Sequence, residues 1–127
     1  MNQDESSKPT AGGISIHAVD VARGVPASGL AVRLRRLSPG PAEIASGSCA
    51  GSGHFVHPVA DGAGVLRGTY EVEFDVGAYF RGEGVALPDP SFLDVVVYRF
   101  GIDAVQEHFH LPFKFTPWGF SLFRGGA

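Results

Sequence analysis

The chain predicts an all-β domain: a two-sheet β-sandwich of seven to eight short strands with one short helix. Three observations carry this. Apolar and polar residues alternate with a period of two through several segments. Glycine is frequent, at 18 of 127 residues against an average of about 7%, so turns are plentiful. Phenylalanine contributes 10 residues, and aromatic and β-branched runs suit a pleated, half-buried surface. No long amphipathic helix, heptad pattern or internal repeat competes with this reading.

The elements follow in order. Ile14, Ile16 and Ala18 share one face of a first strand, with Ser15 and His17 on the other. Arg23-Gly24-Val25-Pro26 reads as a turn, after which Leu30, Val32 and Leu34 alternate with Arg33 and Arg35. Residues 38–53 are rich in Ser, Gly, Pro and Ala and are expected to be a loop with at most a weak strand. His54 to Val59 is a short strand candidate running into the turn Asp61-Gly62. Thr69 to Val76 is the clearest strand: Tyr70, Val72, Phe74 and Val76 face one way and Glu71, Glu73 and Asp75 the other, as in a sheet with one wet face. Residues 78–84 are expected to form one or two helical turns before Pro88 and Pro90. Val95 to Phe100 is almost wholly apolar and is expected to be buried on both faces. Phe109, Leu111, Phe113 and Phe115 then share a face opposite His108, His110 and Lys114. Pro112 cannot donate to a ladder and predicts an edge or a bulge. Thr116-Pro117-Trp118-Gly119 turns the chain so that Phe120 to Phe123 pairs back.

A chain of 127 residues is expected to form one domain with a core of its own. Residues 1–12 are polar and predict a disordered tail, leaving residues 13–127 as the domain. That tail starts acidic, without the basic and apolar regions of a secretory signal, and no apolar run approaches the roughly 20 residues of a membrane span. A cytoplasmic location is the expectation. The net charge of -3 and the absence of a basic patch argue against nucleic acid. Cys49 is the single cysteine, so no intrachain disulfide is possible.

Chemistry near neutral pH points to the five histidines, His17, His54, His57, His108 and His110. His17 lies on the polar side of a strand, where a histidine is also at home without any function. His108 and His110 are two apart and project to the same side of a strand. A metal site with a third histidine uses that spacing too. His54 and His57 read as loop or edge residues, and Gly47 to Gly53 lacks the Gly-Lys-Ser/Thr ending of a phosphate loop.

Four blocks carry a resemblance. His17-Ala18-Val19-Asp20 with Ala22-Arg23-Gly24-Val25-Pro26-Ala27 is similar to the opening His-x-Leu-Asp and Gly-x-Pro-Ala elements of the transthyretin/5-hydroxyisourate hydrolase family. Thr69-Tyr70 through Phe74-Asp75-Val76-Gly77-Ala78-Tyr79-Phe80 resembles that family's central strand and short helix. Glu107-His108-Phe109-His110-Leu111-Pro112 resembles its Glu-His-Tyr-His-Val-Pro block, and Thr116 to Ser121 with Phe123-Arg124-Gly125-Gly126 its ending, Ser-Pro-x-Gly-Tyr-Ser followed by Tyr-Arg-Gly-Ser. The resemblance implies a transthyretin-like sandwich and a cofactor-free, metal-free hydrolase. Its small heterocyclic substrate would be 5-hydroxyisourate, the unstable product of urate oxidation, whose ring amide it opens. It also implies a homotetramer with active sites in a channel where dimers meet. Carried over by position, His17 and His110 are the catalytic pair, with His108, Ser121, Phe123, Arg124, Gly125 and Gly126 lining the site; His54 and His57 are expected outside that inner pair, with room for one of them to approach.

The family's arginine follows an Asp-Gly turn, and Asp61-Gly62 is followed here by Ala63, which is therefore expected at the arginine's place. Phe123 and Gly126 stand where the family has Tyr and Ser. A lost guanidinium removes a fixed fork of donors. Two alternatives to 5-hydroxyisourate hydrolysis thus stay open: a divergent member acting on another heterocycle, and a non-catalytic small-molecule carrier of the same fold.

Overall fold

A computed structural model describes residues 11–126. The expected disordered tail falls mainly on residues 1–10, outside the described residues; Gly12 N donates to Val105 O at 2.9 Å.

Eight strands form two four-stranded sheets packed face to face. The strands are β1 (Ile14–Asp20), β2 (Val25–Pro26), β3 (Ala31–Ser38), β4 (Ala42–Ser48), β5 (Gly68–Asp75), β6 (Val95–Ile102), β7 (Phe109–Thr116) and β8 (Gly119–Leu122). One sheet runs β2-β1-β7-β8 and the other β4-β3-β5-β6. A single α-helix, α1 (Val76–Gly82), follows β5, and a 3-10 turn spans Pro58–Asp61. The all-β sandwich with one short helix is thus what the alternation predicted.

Period-two burial places the core between the sheets. Ile14, Ile16 and Ala18 of β1 face inward with Phe109, Leu111, Phe113 and Phe115 of β7, against Tyr70, Val72 and Phe74 of β5. Phe74 and Phe113 stack across the two layers with centroids 3.9 Å apart. Each such side chain contributes about 1.5–3 kcal/mol by leaving water. Asp75 caps α1 by accepting from Ala78 N at 3.3 Å. The helix then buries Tyr79 and Phe80 edge-on against Phe115. Tyr79 Oη donates to the fully buried Asp20, which also holds Arg23 through a 2.7 Å ion pair. This network ties α1 to the end of β1.

Four local expectations are corrected. Residues 42–48 form a full strand, β4, paired with β3 across a bulge, where a loop with at most a weak strand was expected. The reason is cross-strand pairing, which outweighs a Ser/Gly-rich composition. His54 to Val59 is no strand: His54 makes one isolated bridge to His17, and Pro58 opens the 3-10 turn. β6 is not buried on both faces, for Val95, Val97 and Arg99 are exposed on the outer one. Pro112 lies inside a central strand rather than at an edge or bulge. Phe109 N donates to Gly13 O and Val21 N to Phe115 O, so the odd residues of β7 bond to β1 and the even ones face β8. β8 ends at Leu122, opposite Phe113, so no strand stands beside Pro112 to require its missing N–H.

Candidate active site

The parallel pairing of β1 and β7 builds the site. Its register sets Ser15 beside His110 and His17 beside Pro112. Since Ile14, Ile16 and Ala18 face the core, Ser15, His17 and His110 project together from the outer face, half-buried. His17 and His110 are therefore diagonal neighbours on adjacent strands.

A third histidine joins them from the other side of β1. Gly53 O accepts from Ala18 N at 2.9 Å and Phe55 N donates to Ile16 O at 3.0 Å, laying residues 53–55 along the edge of β1. Gly53 is needed there: its φ is +85°, and a Cβ would lie 2.4 Å from Ala18 O and 3.2 Å from His17 Nε2. The turn delivers His54 onto His17, their rings stacked with centroids 4.2 Å apart and planes at 24°. His17 Nε2 donates to Ser52 O at 2.9 Å, and His54 Nδ1 lies 3.0 Å from Ser52 Oγ. Across the face the order is His54, His17, His110.

Behind His110 runs a chain of short hydrogen bonds. His108 Nδ1 is 2.6 Å from Gly12 O, His108 Nε2 is 2.7 Å from Ser15 Oγ, and Ser15 Oγ is 2.7 Å from His110 Nδ1. Both ring nitrogens of His108 are engaged, so it supports His110 rather than reaching toward a ligand. The Ser15 hydroxyl stands between the two histidines, so they do not converge on a metal. Among the described residues no group of three or more His, Cys, Asp or Glu is placed to hold one. The His110 imidazole is held below the ordinary histidine range, first by burial and then by its neighbours His108, His17 and His54. A neutral ring is the form that can accept a proton.

The C-terminal segment returns over this ring. Gly125 N donates to His110 O at 2.6 Å, and a Cβ at Gly125 would lie 2.9 Å from His110 Cδ2. Ser121, opposite Lys114 on β8, is exposed on the same outer face. Phe123 and Gly126 are exposed beyond β8. Arg124 does not point at the histidines: its guanidinium pairs with Glu107 at 2.9 Å and lies 4.0 Å from the Phe109 ring centroid.

Ala63 is not part of this constellation. It is exposed in the loop after the 3-10 turn, with its N–H on Pro58 O. The neighbouring Gly64 faces Ile44 and its carbonyl accepts from Arg36, while Ala60 and Gly62 before it pack against Gly13 and Ala11 ahead of β1. The residue that follows a turn glycine onto the histidine face is His54. Sequence reading kept His54 and His57 outside the inner pair, and His57 does lie aside, stacked on Phe55 and capping the 3-10 turn. The room left for one of the two to approach is taken by His54; which of them it would be depends on a bridge between segments 37 residues apart in the chain, and the glycine before His54 was the available signal.

The HIUase/Transthyretin family model matches residues 14–125. The chain belongs to that family. It is 43% identical over 116 residues to 5-hydroxyisourate hydrolase 2 of Rhizobium meliloti (strain 1021), covering 90% of this chain and 96% of the relative. Among solved structures, the 5-hydroxyisourate hydrolase of Klebsiella pneumoniae superposes with a TM-score of 0.73 at 29% identity, covering 89% of this chain and 97% of that one. An (S)-allantoin synthase superposes with a TM-score of 0.86 at 32% identity over 92% of this chain; the chain spans 44% of that longer protein. In this family member His17 and His110 lie on one face, with His54 stacked on His17.

Proposed function

We propose that the protein is a 5-hydroxyisourate hydrolase, opening a ring amide of that heterocycle in purine breakdown. The observation that carries this is the row His54, His17, His110 on the outer face of β1 and β7, in a chain that matches named 5-hydroxyisourate hydrolases over nearly its whole length.

In this reading His110 takes a proton from a water molecule as the water oxygen bonds to the ring carbonyl carbon. His17, fixed by its Nε2–H on Ser52 O, directs Nδ1 toward the substrate. In its protonated form it steadies the developing oxyanion and protonates the ring nitrogen as the C–N bond breaks. His54, stacked on His17, offers a third imidazole to the substrate beside the pair. Ser121 and the Gly125–Gly126 segment line the substrate's far side, and Gly125 keeps the chain close to His110. Arg124 is held by an exposed pair with Glu107, by the Phe109 ring face and by a 3.3 Å bond to His108 O, and would have to leave these to reach a bound anion.

The site is open in one chain. Phe92, Trp118, Phe120 and Phe123 are exposed around the free edge of β8, which supports a homotetramer in which a second copy closes the histidine face. The buried free thiol of Cys49 suits a cytoplasmic setting. No described helix is long and apolar enough to cross a membrane. A second reading, a divergent member acting on another heterocycle, is favoured by the imidazole of His54 stacked beside His17, with Arg124 turned to Glu107.

The test is to generate 5-hydroxyisourate freshly and follow its ultraviolet absorbance with and without protein. Accelerated decay to a single enantiomeric product supports the hydrolase; decay at the spontaneous rate leaves the divergent reading.

A further inference from the structure

We propose that Ser15 and His108 are positioning residues, forming a one-way hydrogen-bond relay from the Gly12 carbonyl that holds His110 as its Nδ1–H tautomer and leaves Nε2 bare. The role within catalysis rests on the hydrolase reading above; the tautomer itself does not.

The direction of the relay follows from its fixed end. A backbone carbonyl only accepts, so at 2.6 Å from Gly12 O the Nδ1 of His108 must carry a proton. In the neutral ring on which the relay depends, Nε2 of His108 is then bare and only accepts. Ser15 has one hydroxyl proton, and at 2.7 Å it goes to that nitrogen. The Ser15 oxygen is left with lone pairs facing His110 Nδ1, also at 2.7 Å, so that nitrogen is the donor. Each bond is decided by the one before it. A free histidine side chain prefers the opposite, Nε2–H form, in which the outer nitrogen could not accept a proton from water.

Geometry supports the assignment independently. Ser15 and His110 are paired directly across the parallel ladder, so their side chains are held side by side by the backbone. His108 is anchored at both nitrogens, and its carbonyl accepts from Arg124 Nη2 at 3.3 Å. Gly125 packs against Cδ2 of the His110 ring, so the imidazole is fixed on a second side. The relay therefore does for the general base what an orienting carboxylate does elsewhere, with a serine and a second histidine.

The experiment compares Ser15→Thr with Ser15→Val. Both are β-branched and nearly equal in shape, and only threonine keeps the hydroxyl. Histidine ring ¹⁵N spectra of the full chain, recorded where His110 is neutral, are expected to show a protonated Nδ1 in the parent and in Ser15→Thr. Ser15→Val is expected to move His110 toward the Nε2–H form. On 5-hydroxyisourate, Ser15→Val is expected to lose about tenfold or more in kcat with KM little changed, and Ser15→Thr to restore most of it. An Nε2–H tautomer of His110 in the parent, or a Ser15→Val protein with full kcat, would overturn the proposal. If the parent shows the Nδ1–H form and the hydroxyl dependence in the spectra yet never hydrolyses 5-hydroxyisourate, the relay stands and the substrate assignment fails.

Discussion

The imidazole of His54 lies face to face with that of His17, with ring centroids 4.2 Å apart. Gly53 makes the approach possible, since any side chain there would strike Ala18 O and crowd His17 Nε2. Two rings in such contact share one electrostatic environment, so the charge on one bears on the other.

His54 is therefore expected to matter to turnover, and Ala63 is not. His54→Ala should lower kcat/KM by roughly 10- to 100-fold, the range for removing one group aimed at developing charge. His54→Arg should keep or raise the rate. Ala63→Arg should change it less than twofold, because Ala63 is exposed beside Gly64, which contacts Ile44 and Arg36. Steady-state kinetics on fresh 5-hydroxyisourate with the three variants checks this; an Ala63→Arg gain larger than that of His54→Arg would contradict it.

The pH profile follows from the depressed basicity of His110. Water attack needs the neutral ring, and burial first, then His108, His17 and His54, hold its pKa below the ordinary 6.5. Lowering a base's pKa extends its active form toward acid, so the acid limb of kcat/KM assigned to His110 should fall below 6.5. Among the groups around it, Arg124 and Glu107 pair with each other at 2.9 Å, and after burial the neighbours that lower the His110 pKa are His108, His17 and His54. His54→Ala removes one of them, and its acid limb should move upward.

Gly125→Ala tests how closely the C-terminal segment confines the base. The new methyl would lie 2.9 Å from His110 Cδ2 and 3.3 Å from Pro112 Cδ. The ring is tethered by Ser15 and the proline is rigid, so the segment must lift. A loss of about tenfold in kcat is expected from the displaced geometry, with little change in the urea midpoint. Gly126→Ala, with open space around the added carbon, should be nearly silent.

Tyr79→Phe should destabilise the fold. It removes a 3.1 Å hydrogen bond to the fully buried Asp20 carboxylate and a 3.0 Å acceptor for Arg23. A hydrogen bond to a charged group contributes roughly 1.5–3 kcal/mol, and urea unfolding should read a loss in that range.

Much of this was legible in the sequence. The inward set Ile14, Ile16, Phe109, Leu111, Phe113 and Phe115 was readable because the strand period assigns faces without knowledge of pairing. The same period put Ser15 with His17, and His108 with His110. What it could not give was which strands are neighbours: the direct pairing of Ser15 with His110 links residues 95 apart, and nothing local encodes it. β4 was hidden because its Ser and Gly residues are poor strand formers held by β3. The arginine position was sought after Asp61-Gly62 because that dipeptide matches the family's turn by letter. The turn whose next residue faces His17 is Ser52-Gly53, where backbone bonds to Ala18 and Ile16 set what lies against the ring.

The most direct test of the central claim is the rate of fresh 5-hydroxyisourate decay measured side by side for the parent protein and His110→Asn. The parent is expected to accelerate decay well above the spontaneous rate. Without the general base, His110→Asn is expected to lose on the order of 10²–10⁴ in kcat while circular dichroism shows the same β-sandwich. Equal rates in the two proteins, or no acceleration by the parent at any pH between 6 and 8, would contradict the account.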